Sequence, residues 1–164
     1  MRLYKVILFI ALFYIINTCI PASSSACQPC RAKLNFKDTV KRADLIIMGK
    51  KIADKGRMVR VGRDKFHPEG SKIKIFRVLK GQTDKDTINV RCLQGMCGYG
   101  ICVENDKPYV IFLSAPTKSE GNGYDYASVN SGCAVKYYEV MGNSVVMDGV
   151  SISMSHFEKM ISGK

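Results

Sequence analysis

Several things that mark an enzyme are missing from this chain. Paired carboxylates, a Ser-His-Asp order and a phosphate-cradling glycine loop are absent or unconvincing, so hydrolytic and nucleotide-dependent chemistry is not expected. His67 stands beside Pro68 in a basic stretch, with no second histidine or carboxylate at ligand spacing. A resident metal or other cofactor is therefore not expected. No Asn-x-Ser/Thr acceptor occurs after residue 26, and no retention signal ends the chain, so neither N-glycosylation nor retention is expected. Acidic residues are scarce: 14 Asp and Glu against 25 Lys and Arg give a formal charge of +11. The basic excess forms no helical stripe, which argues against a nucleic-acid partner. Sulfated glycans, acidic matrix or other anionic surfaces are the expected partners of such a charge on a secreted chain.

Long apolar runs are also lacking, except at the start. Val6 to Ile20 is almost wholly apolar, follows Arg2 and Lys5, and leads into Ala22, Ser23, Ser24, Ser25 and Ala26. Residues 1–26 read as a secretory signal, too short and poorly flanked for a membrane span. Ser24 and Ala26 favour cleavage before Cys27, with cleavage after Ala22 as the competing site. A lipoprotein signal shares the cysteine after small residues, but Ser24 stands where an apolar residue is usual. The expected product is a secreted, extracellular, monomeric domain spanning residues 27–164, without a membrane span. Loss of Arg2 and Lys5 takes its charge from +11 to +9.

Cys19 leaves with the leader, and Cys27, Cys30, Cys92, Cys97, Cys102 and Cys133 remain. Six cysteines in a small secreted domain imply a disulfide framework, and fifteen pairings are open.

Residues 33–43 carry Leu34, Phe36, Val40 and Ala43 at helical spacing, with Asn35 or Asp38 as cap. Leu45 to Gly49 suits a buried strand. Lys51 to Ser71 reads as a basic connection, with a short strand over 58–61 and an exposed loop over 62–70. Ser71 to Leu79 alternates as a half-buried strand, and Lys80-Gly81 turns the chain. Thr87 to Cys92 and Pro108 to Leu113 are strands, separated by a connector dense in Gly and Cys. Tyr124 to Val129 is a further strand, and Ala134 to Met141 reads as a helix. Asp148-Gly149 predicts a hairpin over 145–152. Ser155 with Glu158 suggests a capping box for a last helix. The sum is mainly β: a small five-stranded, closed or nearly closed barrel with short flanking helices, stapled by disulfides.

The order of these features resembles the netrin-like module. It runs Cys27 and Cys30, a helix into a strand through Gly49, a strand ending in Lys80-Gly81, Cys97-Gly98-Tyr99, the strand Tyr109 to Leu113, then Gly132-Cys133. That module is the OB-fold barrel shared by tissue inhibitors of metalloproteinases, the netrin C-terminal domain and the agrin N-terminal domain. The resemblance spans about residues 27–140 and is greatest to the single-domain inhibitor type. It implies the pairings Cys27–Cys97 and Cys30–Cys133, leaving Cys92 for Cys102.

It also implies a function: a secreted inhibitor of zinc metalloproteinases. The amine and carbonyl oxygen of Cys27 would chelate the zinc of an extracellular metalloproteinase and displace its water. Gln28 would enter the specificity pocket. Pro29, Cys30, Gln94, Gly95 and Met96 would complete the contact ridge. The chain departs from that pattern in one place, because the inhibitors carry Cys-x-Cys and this chain carries Cys-Gln-Pro-Cys. The alternative is a non-inhibitory netrin-like module that binds matrix, glycan or a protein partner. A redox reading of Cys-Gln-Pro-Cys fails because no strand precedes the motif.

Overall fold

Two strands are apolar at successive positions, and the topology explains why. The computed structural model describes residues 35–60, 66–92, 103, 106–116, 123–129 and 137–163. β1 (Leu45–Arg60) and β4 (Pro108–Ser114) pair side by side in antiparallel register, Leu45 opposite Leu113 and Gly49 opposite Tyr109. One face of this pair presents Leu45, Ile47, Tyr109, Ile111 and Leu113 to one core. The other presents Ile46, Val110 and Phe112 to a second. Strands buried on both faces lose the period-two signal and read as continuous apolar runs.

The first core is the interior of a barrel. β1 pairs with β2 (Phe66–Lys80), β2 with β3 (Thr87–Arg91), β3 in parallel with β5 (Tyr126–Ser128), and β5 with β4. The β1–β4 pairing closes the ring of five strands, in the order β1-β2-β3-β5-β4. Closure leaves no edge open within the ring, and the arrangement is consistent with an OB-like barrel. Ile73, Ile88 and Val90 fill its interior from β2 and β3, with Val103 beside them.

The second core lies outside the barrel wall. β6 (Tyr137–Met141) follows β5 along the same edge of β4. Leu113 faces Ser128 and Ile111 faces Tyr137, so two steps along β4 correspond to nine along the opposite chain. β7 (Ser144–Met147) and β8 (Val150–Ser153) extend the sheet as hairpins. α1 (Phe36–Arg42) and α2 (Met154–Ser162) cover it. Phe36, Phe112, Tyr138 and Phe157 meet there, mostly edge to face, with centroids 5.5–6.4 Å apart. Such pairs add about 0.5–1.5 kcal/mol each beyond area burial.

Local chemistry sets the ends of these elements. Asn35 caps α1 by accepting from the Asp38 N–H at 2.8 Å. Lys80 Nζ donates to the carbonyls of Val40 and Ala43, at 2.7 and 2.6 Å, and so holds the other end of α1. Arg77 grips Glu158 of α2 through two hydrogen bonds of 2.5 and 3.1 Å. Asp148 and Gly149 take φ of 47° and 82°, as the expected type I′ turn requires.

The structure corrects three expectations. Lys51 to Ser71 is no loop: β1 continues to Arg60 and β2 begins at Phe66, and His67 and Pro68 lie within that strand. Bulges hid the pattern. Ile52 is an extra residue on β1, and Gly56 and Arg57 together oppose Glu69, so the period of two breaks twice. Tyr137–Met141 is a strand and not part of a helix, because its backbone pairs on both sides, with β4 and β7. The cap of α2 is Ser153, which accepts from the His156 N–H. Ser155 lies inside the helix, and Glu158 is bound to Arg77. Three of the eight strands among the described residues, β6 to β8, lie outside the expected five-stranded ring.

Cys92 directly follows β3, buried, with its sulfur 3.1 Å from Ser71 Oγ. Cys27, Cys30, Cys97, Cys102 and Cys133 lie outside the described residues, and so do the three expected pairings.

Candidate anion-binding face

The alternation of β2 that fills the barrel also builds its outer wall. Ser71 and Ile73 point inward and are buried, while Lys72 and Lys74 are exposed on the opposite face. Register then places residues of the neighbouring strands beside them. Lys74 sits between Lys50 of β1 and Thr87 of β3. Lys72 sits between Ala53 and Asn89. Gly70 sits between Lys55 and Arg91.

A like-charged pair directly across two strands is destabilising, and Lys50 and Lys74 form one. Lys50 Nζ is 3.3 Å from Asp106, which relieves it in part. Other carboxylates near the face are engaged elsewhere. Asp54 pairs with Lys51, Glu69 with Arg57 and Asp125 with Lys85. Among the described residues no carboxylate lies within ion-pair distance of Lys72 or Lys74. Their charge stands on the low-dielectric wall of a packed barrel, where it sums to a positive potential.

Tyr124 crosses the third row. Lys55 Nζ lies 5.6 Å and the Arg91 guanidinium 5.9 Å from its ring centroid. The ring seats on Gly70, where any Cβ would run into it and into the Val90 carbonyl oxygen, 2.7 Å away. A Cβ at Gly56 would likewise lie 2.7 Å from the Tyr124 hydroxyl. Burial, reinforced by Glu69, pushes the Tyr124 phenol above its usual range, so it stays neutral at physiological pH. Burial alone would raise the neighbouring Asp125 carboxyl. The Asn89 N–H, at 2.7 Å, and the Lys85 ammonium outweigh it and hold the carboxyl low. Glu69 is also held low, first by its bond from Arg57 at 2.9 Å. These acids are therefore ionised at neutral pH and bound to the margin of the face.

The residues expected to contact a protease are not brought together here. Cys27, Gln28, Pro29, Cys30, Gln94, Gly95 and Met96 all lie outside the described residues. Among the described residues no cluster of three or more His, Cys, Asp or Glu would hold a metal, and no helix is long and apolar enough to cross a membrane. Sequence reading missed Lys50, Lys55, Lys72, Lys74, Arg91 and Tyr124 as a group. The signal for two of them was present, since Lys72 and Lys74 alternate with Ile73 and Ile75. The cross-strand partners became visible only with the register.

No known protein family and no curated protein matches the chain.

Proposed function

We propose that this chain is a secreted, extracellular binding module whose β1–β2–β3 face holds a sulfated glycan or acidic matrix polymer. The observation that carries the reading is the row Lys50–Lys74 with Lys72 beside it, a like-charged set on a rigid wall. An anionic polymer relieves the mutual repulsion of these side chains on binding. Extended polymers suit a face with repeated cations, and no pocket is needed. Immobilised heparin tests this. The wild-type protein elutes at high salt, and the Lys72→Glu/Lys74→Glu variant elutes much earlier with a melting temperature no lower than wild type, since the glutamate at position 74 would face Lys50. Equal elution of the two proteins would refute the reading.

A second reading is the metalloproteinase inhibitor of the tissue-inhibitor type. It is favoured by the closed barrel, the helix leading into β1 and the Lys80-Gly81 turn, all in the order that the netrin-like resemblance implies. Cys92 follows β3 beside Ser71, two residues before Gln94 in the expected ridge. In this reading Cys27 is the first residue of the secreted chain and ligates the protease zinc through its amine and carbonyl. Gln28, Pro29, Cys30, Gln94, Gly95 and Met96 form the contact surface, and the disulfides Cys27–Cys97 and Cys30–Cys133 hold it. One alanine left ahead of Cys27 is expected to abolish inhibition of a metalloproteinase. Undiminished inhibition by that extended form would exclude ligation by the Cys27 amine.

A further inference from the structure

The same face has an apolar end. Alternation along β2 continues past Gly70 to Pro68 and Phe66, whose cross-strand partners are Met58 and Arg60. Met58 is 55% exposed and Phe66 57% exposed. Barrel pairing has ended by this point, since Gly70 is the last residue of β2 to meet β3, and Lys50 the last of β1 to meet β4. Residues 58–60 and 66–68 therefore form a two-stranded ribbon beyond the barrel pairing. Among the described residues, neither core includes Met58 or Phe66.

Size and charge limit what covers them. The exposed apolar groups are few, two side chains and a half-buried proline, amid several cations. Such a set suits a lipid surface, because insertion depends on a few apolar groups backed by cations. The cations are on the same face. Arg60 stands opposite Phe66, the Lys55–Arg91 row follows Pro68, and Lys72 and Lys74 come next. A strand rises about 3.3 Å per residue, so these cations follow Phe66 at intervals of two residues along one surface. Cations within about one Debye length of anionic headgroups, roughly 8 Å at physiological ionic strength, are attracted to them.

We propose that the β1–β2 ribbon is a peripheral anchor for anionic lipid surfaces. Met58 and Phe66 enter the boundary between headgroups and acyl chains, and Lys55, Lys72 and Lys74 neutralise the headgroups. The anchor goes beyond glycan binding and is separable from it, because Met58 and Phe66 carry no charge.

Flotation of the full-length secreted protein with vesicles tests it. One set is phosphatidylcholine alone, and the other is phosphatidylcholine mixed with phosphatidylserine. The wild-type protein is expected on the mixed vesicles and not on the neutral ones. The Met58→Ser/Phe66→Ser variant is expected to lose about ten- to a hundredfold in vesicle affinity. Both side chains are exposed, so its melting temperature and heparin elution should match wild type. Failure of the wild-type protein to bind the mixed vesicles would overturn the anchor, as would undiminished binding by the double-serine variant. Loss of heparin retention alone, in the Lys72→Glu/Lys74→Glu variant, would leave glycan binding standing and remove the lysines from the anchor.

Discussion

At the scale of single residues, Lys80 shows how one side chain sets the relation between two elements. Its ammonium donates to the Val40 and Ala43 carbonyls, which the end of α1 leaves without partners inside the helix. A cation there also complements the negative end of the helix dipole. Gly81, next in the chain, takes φ of +81° and lies against the Asp44 carbonyl oxygen, so the turn after β2 passes close beneath the start of β1. Lys80→Met keeps the length of the side chain and removes its donors. A hydrogen bond from a charged donor contributes about 1.5–3 kcal/mol. Part of that is recovered by hydration of this half-buried site, so a loss of about 1–2 kcal/mol is expected. Urea unfolding should show a lower midpoint with an unchanged slope. The Lys80-Gly81 pair was legible in the sequence as a turn. Its role as a helix cap was not, because Val40 and Ala43 lie about forty residues away along the chain.

At the scale of elements, β2 carries two jobs on one alternating strand. Its inward residues Ile73 and Ile75 serve the barrel, while its outward residues Lys72 and Lys74 serve the face. The two jobs oppose each other at Lys74, which meets Lys50 across the ladder. Lys74→Thr removes the repulsion and places a β-branched side chain opposite Thr87, a favourable cross-strand pair. The variant is expected to gain about 0.2–1 kcal/mol in stability while heparin elution moves to lower salt. Thermal melting and heparin chromatography on one preparation check both effects. A gain in stability with unchanged elution would mean that Lys74 is spent on neither partner nor fold. The same strand shows where sequence reading reached its limit. β4 and the inner half of β1 were legible because burial on both faces makes an uninterrupted apolar run. The outer half of β1 was not, since extra residues at Ile52 and at Gly56 and Arg57 break the period. Tyr137–Met141 was misread as a helix for a related reason. One face of β6 is buried through Tyr138 and Val140, but the strand is five residues long, too short for two to be told from three or four. The face itself needed the register, because its cations come from β1, β2 and β3 and meet only after the barrel closes.

At the scale of the whole molecule, two cores share the wall formed by β1 and β4, so loss of one core exposes the back of the other. Unfolding should then be a single transition, and a titration inside either core should report on all of it. Tyr138 supplies that titration. It is 7% exposed, within the aromatic cluster of Phe36, Phe112 and Phe157. Burial, with a smaller contribution from Asp148, pushes its phenol up to about 12. An unfolded tyrosine ionises near 10. The folded state therefore holds this proton more tightly than the unfolded state does. The corresponding stability is fully present below about pH 10 and is lost as pH rises towards 12. The shift corresponds to about 1–3 kcal/mol over that window. Tyr138→Phe removes the ionisable group and retains the ring. Its stability should fall less over the same window than that of the wild-type protein, since Tyr124 and Lys85, which are also raised, still titrate in both. Urea midpoints measured at intervals between neutral pH and pH 12 would show the two curves separating above pH 10. Parallel curves would mean that the Tyr138 hydroxyl reaches water in the folded protein, and that the seal between α1, α2 and the barrel wall is looser than the edge-to-face packing implies.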